Sequence, residues 1–323
     1  DKCIRDRKKN LIIMKKPLMN LMSMKNTKRI LVIVGPTAIG KTRLSIELAK
    51  ALNTEIISCD SRQFYKELLI GATPPNPKEL SEVKHHFIQH LSVENDFNAG
   101  QFEIDAIAKI EELHKTKDTI IIVGGSGLYI DAICKGFDKM PKINTELRIQ
   151  LNQKFTEKGL VWVQDTIKEV DPEFYANCDK QNPQRLLRAL EVYKTTGEKF
   201  SSYKTQSPKK RPFEIIKIGL NTDREILYKR INHRVDEMLK EGLLEEAESL
   251  LHFQKKNALQ TVGYKEIFSF YNNECTLEQA VANIKQNTRR FAKRQLTWFQ
   301  KDESTKWFEP HQIDEIKKFI EEL

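Results

Sequence analysis

The segment Gly35-Pro36-Thr37-Ala38-Ile39-Gly40-Lys41-Thr42 constrains this chain more than any other. It matches G-x-x-x-x-G-K-[ST] in full and follows the run Ile-Leu-Val-Ile-Val of residues 30–34. Five successive apolar positions imply a strand buried on both faces. Beyond the motif, Leu44, Leu48, Ala51 and Leu52 recur at helical spacing. A strand, a glycine-bounded turn and a helix together build a phosphate cradle. Gly35 and Gly40 let the backbone curl so that successive N–H groups face one anion. The helix adds the positive end of its dipole. Lys41 supplies an ammonium, and the Thr42 hydroxyl is a ligand for Mg²⁺. The motif specifies a diphosphate or triphosphate without saying which. A chance glycine turn is the bland alternative, and the flanking strand and helix weigh against it.

The same reading along the chain finds a short strand at 55–59 ending at Asp60, a buried strand at 119–123 closed by Gly124-Gly125-Ser126-Gly127, and another at 214–220. Helical periods cover 102–113, 223–251 with a break at Gly242, and 277–300. Strands alternating with helices predict an α/β fold: a P-loop NTPase-like parallel sheet flanked by helices. Residues 137–210 carry helical periods and no buried strand. They read as a helical insertion domain in a core made of 29–136 and 211–323.

The formal net charge is +9, but residues 1–29 account for +8 of it and leave +1 for the other 294. Arguments for nucleic acid must therefore rest on local clusters. Residues 1–28 read as a basic extension, disordered or upstream of a start near Met24; a phosphate-binding arm is the sharper alternative. Lys15, Lys16 and Pro17 interrupt the apolar stretch that a signal peptide would need. No apolar run reaches the roughly 18 residues of a membrane span. The five cysteines are scattered, with no CxxC and no Cys/His cluster for zinc. That pattern suits a reducing cytoplasm.

Ligands of doubly wound sheets sit beyond the carboxyl ends of the strands. The strand at 119–123 ends in Gly-Gly, where a hydrolytic P-loop protein would carry a carboxylate. Only the strand at 55–59 ends in one, Asp60. It is a candidate general base, metal ligand or helix cap. Phosphate-binding parts without strong hydrolytic parts favour a transferase over a motor.

The ordered segments GPTAIGKT (35–42), DSRQFY (60–65), HHF (85–87), VGGSGLY (123–129), NPQRLLRALEVYKTTG (182–197), TVGYKEI (261–267) and TRRFAKRQLTWF (288–299) resemble the bacterial tRNA dimethylallyltransferases. The resemblance runs from about Ile30 to about Phe299. It implies transfer of a dimethylallyl group from dimethylallyl diphosphate to N6 of the adenosine 3′-adjacent to the anticodon. The P-loop, Gly35 to Thr42, would then hold the diphosphate with Mg²⁺. Asp60 matches the family's base, and Thr37 its donor to the bridging oxygen. Asp60, Ser61, Arg62, Gln63, Ser126, Arg148, Gln184, Arg185, Leu186, Leu187, Arg188, Gln260, Thr261, Val262, Gly263, Tyr264 and Lys265 match segments that clamp the flipped base and the anticodon loop. A monomer is expected.

Two basic clusters bear on the RNA partner. Residues 183–211 hold eight Lys/Arg and two Glu. A solvated face with Arg–Glu191 pairs is the bland reading, and the resemblance tips it toward RNA. Residues 285–294 hold five basic side chains and no acid. Arg289, Arg290, Lys293 and Arg294 are expected as a phosphate-facing stripe, with Phe291, Leu296, Trp298 and Phe299 facing the core. Trp162, Trp298 and Trp307 also read as core. His85 and His86 are adjacent, which suits no metal pair. One departure stands out: where the family reads close to IGTAKP, this chain has Ile70-Gly71-Ala72-Thr73-Pro74-Pro75, without the lysine. Ser126 stands where many members carry threonine, and the hydroxyl is kept. The rival readings are a small-molecule or nucleoside kinase, an adenylate prenyl transferase, and a non-catalytic RNA-binding module.

Overall fold

The computed structural model describes residues 27–204 and 207–323. The basic stretch at 1–26 lies outside the described residues. Two compact units are present, one formed by 27–134 with 210–323 and the other by 135–209.

The first unit is built on six parallel strands: β1 (Arg29–Val34), β2 (Ile56–Ser58), β3 (His85–His86), β4 (Thr119–Gly124), β5 (Glu214–Leu220) and β6 (Lys306–Phe308). Their order is β3-β2-β4-β1-β5-β6. β1 is central. Val34 registers with Gly124 on one side and Gly219 on the other. Every residue of β1 is buried, Arg29 included, which is why residues 30–34 are apolar without alternation.

Helices cover both faces: α1 (Lys41–Ala51), α2 (Pro77–Glu82), α3 (Ala99–Leu113) and α4 (Gly127–Cys134) come before the insertion. In the insertion lie α5 (Thr145–Val170), bent at Gly159 where φ is 73°, α6 (Pro172–Asn177) and α7 (Pro183–Thr196). After it come α8 (Arg224–Lys240), α9 (Leu243–Ser249), α10 (Tyr264–Tyr271), α11 (Leu277–Phe299) and α12 (Ile313–Glu321). Asn98, Asn144, Asn182 and Asp223 each accept a backbone N–H at a helix start, the role that short polar side chains favour. The sequence break at Gly242 separates α8 from α9; its φ of 103° is left-handed.

The second unit has its own core, formed by Leu151, Val163, Ile167, Phe174, Leu186 and Leu190 with neighbours. Trp162 packs on that core, while Trp307 lies against Gly219. At the unit's ends, Lys209 N–H donates to Lys135 O at 2.7 Å.

Two strands escape periodicity. β3 and β6, of two and three residues, are edge strands too short to show alternation. α12 follows β6 and buries Ile316 and Ile320.

Candidate active site

Three turns meet at the carboxyl edge of the sheet. The P-loop leaves β1, Asp60 follows β2, and Gly125–Gly127 follow β4. Left-handed backbone at Gly35 (φ 148°), Ala38 (φ 63°) and Gly40 (φ 105°) curls the loop. Lys41 Nζ donates to Gly35 O (3.0 Å) and Pro36 O (2.7 Å). Burial pulls the Lys41 ammonium down to about 8; the charge of Asp60 opposes this and the Arg234 guanidinium adds to it.

Cys59 N–H donates to Val123 O at 2.7 Å, which holds Asp60 beside the end of β4. One Asp60 carboxylate oxygen accepts Arg62 N–H at 3.0 Å. Residues 61–64 form a turn and not a helix, so Asp60 is no helix cap. Ser126 Oγ accepts Ser61 N–H at 3.1 Å and ties the β2 turn to the β4 turn.

The glycine end of β4 has a steric cause. A methyl on Gly124 would fall 2.3 Å from Cys59 O, and one on Gly125 would fall 2.3 Å from Gln295 Nε2. Gln295, buried on α11, donates through Nε2 to Gly125 O (2.8 Å) and accepts Thr37 N–H through Oε1 (2.9 Å). Gln295 directly follows the basic run 285–294, and both of its partners lie more than 150 residues away in sequence, so local spacing did not mark it.

A cavity of about 310 Å³ lies over the P-loop, lined by residues 37–42 with Ser58, Asp60, Gln63 and His85 among others. A larger one, about 430 Å³, is walled by the Asp60 and Ser126 turns, by residues 71–73 and 261–263, and by apolar side chains of α8 and α11. The two share Thr37, Asp60, Thr73, Arg234, Phe291 and Gln295. A third, about 530 Å³, continues past Arg62, Thr261, Val262 and Arg294 to Gln260, Lys265, Asn283 and Asn287. Arg234, which the sequence reading missed, faces both inner cavities. Burial lowers its pKa, and Asp60 opposes that shift. Tyr129, on the wall, is pushed up to about 12, mainly by burial.

Several expectations are corrected. Phe291 and Trp298 do not face the core: they are 38% and 43% exposed. Both sit with Thr288 and Gln295 on the stripe of α11 that lines the cavity, while Ala292 and Phe299 take the core side. The basic residues of α11 do not form one phosphate-facing row. Arg289 turns to α8, donating to Asn232 Oδ1 (2.7 Å) over the Tyr228 ring; Arg290 donates to Asn287 Oδ1 (3.3 Å), Lys293 is exposed, and only Arg294 reaches the cavities. Tyr264 is fully buried, so its side chain offers RNA no surface. Leu186 and Leu187 are buried in the core of the insertion and likewise offer none.

In the insertion, Arg148 Nε and Arg188 Nη1 both donate to the Glu191 carboxylate, at 2.8 and 3.1 Å. Gln184 and Arg185 are exposed on the first turn of α7. Arg62 donates to Asn257 O (2.7 Å) and Ala258 O (3.1 Å). Gln63 is held by Ser58 Oγ (3.1 Å) and by Thr73 O (3.0 Å). His86 Nε2 meets Glu55 at 2.7 Å, and His85 Nδ1 meets Val83 O at 2.8 Å.

The IPP transferase family model matches residues 63–302. The chain belongs to this family. It is 52% identical to the tRNA dimethylallyltransferase of Christiangramia forsetii over 288 residues, covering 89% of this chain and 94% of that one. It is 47% identical to the enzyme of the same name from Cytophaga hutchinsonii, covering 91% and 97%. Among solved structures, the full-length tRNA isopentenylpyrophosphate transferase of Bacillus halodurans superposes with a TM-score of 0.68 at 35% identity, covering 91% of this chain and 95% of that one. A eukaryotic dimethylallyltransferase captured acting on tRNA gives 0.74 at 25% identity, covering 89% and 75%.

Membership fits the chemistry of the site. An IPP transferase needs an anion cradle joined to a chamber for a base, and the shared wall at Asp60 joins the two. Among the described residues no group of three or more His, Cys, Asp or Glu is placed to hold a metal. The donors over the P-loop are the Thr42 hydroxyl and the Asp60 carboxylate, both on the smaller cavity. Hard oxygen donors of this kind fit a Mg²⁺ that keeps most of its ligands as water and phosphate oxygen. No helix among the described residues is long and apolar enough to cross a membrane.

Proposed function

We propose that this protein transfers a dimethylallyl group from dimethylallyl diphosphate to N6 of the adenosine 3′-adjacent to the anticodon of a tRNA. The observation that carries this reading is the shared wall: Thr37, Asp60, Thr73, Arg234, Phe291 and Gln295 belong at once to the phosphate-side cavity and to the larger chamber. Diphosphate in the first places its allylic carbon toward the second.

Adenine N6 is a weak nucleophile because its lone pair is delocalised into the ring. As the N6–C1 bond forms, the C1–O bond to diphosphate breaks, and the N6 proton passes to the Asp60 carboxylate. A positioned base of this kind contributes about 10²–10⁴-fold. The leaving diphosphate gains charge, which the P-loop N–H groups, Lys41 and Arg234 stabilise as fixed donors. Thr37, tied to Gln295 through its own N–H, would donate its hydroxyl to the bridging oxygen as it leaves. Mg²⁺ held by Thr42 would neutralise further diphosphate charge when bound. An adenine must leave its stack to reach Asp60, and loop bases are the cheapest to extrude. Arg62, Gln260, Lys265 and Arg294 border the outer groove and would receive the flanking nucleotides. Arg148, Gln184, Arg185 and Arg188 of the insertion would meet the stem-loop backbone. The reaction takes place in the cytoplasm, with the enzyme a monomer.

The test is a labelling assay with purified protein, unmodified tRNA with adenosines in its anticodon loop, Mg²⁺ and labelled dimethylallyl diphosphate. Labelled tRNA is expected. Label on free AMP alone, or ATP consumption without prenyl transfer, would overturn the assignment in favour of an adenylate prenyl transferase or a kinase. Binding of tRNA with neither reaction would leave an RNA-binding module.

A further inference from the structure

Two walls of the larger chamber come from segments far apart in sequence. Gly71 to Thr73 form one, and Thr261 to Gly263 form the other. A single carboxylate joins them. Glu246, on α9, accepts the backbone N–H groups of Leu69 (2.8 Å), Ile70 (2.8 Å) and Gly71 (2.9 Å). It also accepts the hydroxyl of Tyr264 at 2.6 Å. Tyr264 directly follows Gly263. Three consecutive amides on one carboxylate form an anion nest, and charge-assisted bonds of this length are the strong kind.

The joint leaves little slack. The Tyr264 ring lies against Gly71, where a methyl group would fall 2.4 Å from Cζ. From the other side, Gln63 Nε2 donates to Thr73 O at 3.0 Å. Thr73 itself is held in left-handed backbone at φ 43°, and it lines both the chamber and the phosphate-side cavity. The turn at 261–263 lines the chamber, and its Thr261 and Val262 also line the outer groove. A rigid path therefore runs from the outer groove, through Tyr264 and Glu246, to the loop that ends beside the P-loop cavity.

We propose that Glu246 is a positioning residue that couples occupancy of the outer groove by RNA to the geometry of the diphosphate side. It touches no reacting atom. It acts through the backbone of 69–73 and through Tyr264, so that a nucleic acid seated on residues 260–265 fixes the Thr73 wall. The proposal rests on the tRNA-prenylation reading above. Coupling between two sites is reciprocal and is read as a ratio of affinities.

The experiment compares the full-length protein with Glu246→Gln and Tyr264→Phe. Glu246→Gln replaces the acceptor pair with one acceptor and one donor. Tyr264→Phe keeps the ring and the amide nest and removes only the link between the walls. The probe is inorganic pyrophosphate with Mg²⁺, its affinity measured by calorimetry with and without saturating unmodified tRNA. The parent protein should bind pyrophosphate several-fold more tightly with tRNA present, and both variants should bring that ratio to about one. Their tRNA affinity should stay within about threefold of the parent, and kcat should fall roughly 10- to 100-fold, the scale of a misplaced reacting geometry, with KM for tRNA little changed. A merely structural role would lower stability and leave the ratio intact. If Glu246→Gln fails to fold, Tyr264→Phe decides alone. A parent protein without coupling, or variants that keep it, would overturn the proposal. Because the ratio is a binding measurement, its outcome is separate from whether labelled tRNA forms, which tests the transferase reading itself.

Discussion

Thr37 N–H and Gln295 Oε1 are 2.9 Å apart across 258 residues of sequence. The bond fastens the P-loop to α11 at a point where a short loop would otherwise be free to open. Gln295 spends its other amide group on Gly125 O, so one buried side chain holds two of the three turns around the site.

Replacing Gln295 with Leu should therefore do more than remove two hydrogen bonds. The Gly125 carbonyl loses its partner in a buried position and the Thr37 amide in a half-buried one, at a cost of up to about 1–3 kcal/mol for each group left unsatisfied. Urea denaturation should report a loss of about 2–6 kcal/mol, and prenyl transfer should fall by more than tenfold while tRNA binding is retained.

Asp60→Asn keeps the shape of the side chain and its acceptor for Arg62 N–H. Fold and tRNA affinity should be unchanged. Turnover should fall by about 10²–10⁴-fold, the contribution expected of a positioned base. Single-turnover kinetics with labelled diphosphate will measure it, and full activity would remove Asp60 from the role of base.

Exposed Arg185 and half-buried Arg188 make different demands on the insertion. Arg185→Ala should weaken tRNA binding without changing stability and should lower the slope of log Kd against log salt by about one. Arg188→Ala should do the same while also loosening Glu191, which Arg148 still partners. Filter binding across a salt series, beside thermal melts, separates the two effects.

Acid should destabilise the fold through its neutral histidines. His85 and His114 are both held below the ordinary 6.5, each mainly by burial. Each has a buried Nε2 with no hydrogen-bond partner among the described residues. Between their folded values and 6.5 the unfolded chain binds more protons than the folded one, so stability rises with pH across that window and is lost as pH falls below about 6.5. Melting temperature against pH should show this loss, and His114→Gln should flatten part of it.

Much of the frame was legible before any coordinates. The strands at 29–34 and 119–123 are buried nearly throughout, so their apolar runs announce them; the strand at 214–220 is continuously buried only over its last three residues and is legible from Ile215, Ile216, Ile218 and Leu220. The P-loop and Asp60 could be placed because parallel strands deliver their carboxyl ends to one edge. Gln295, Arg234 and Glu246 could not. Each acts by reaching a segment distant in sequence, and local spacing carries no trace of such a reach. Phe291 and Trp298 were misplaced for a related reason: an aromatic residue on an amphipathic helix reads as core, whether it meets a packed neighbour or the wall of a chamber. Leu186 and Leu187 show the reverse, apolar side chains within a polar motif that serve packing alone.

The 2.7 Å bond between Lys209 and Lys135 has an engineering consequence. The bond brings the two ends of the 75-residue helical unit together. A linker of two or three residues should close the gap, giving a minimal catalytic unit. Such a truncated protein is expected to keep its affinity for pyrophosphate and lose discrimination among RNAs, and the corresponding unit of a relative could be transplanted to exchange RNA preference without touching the chemistry.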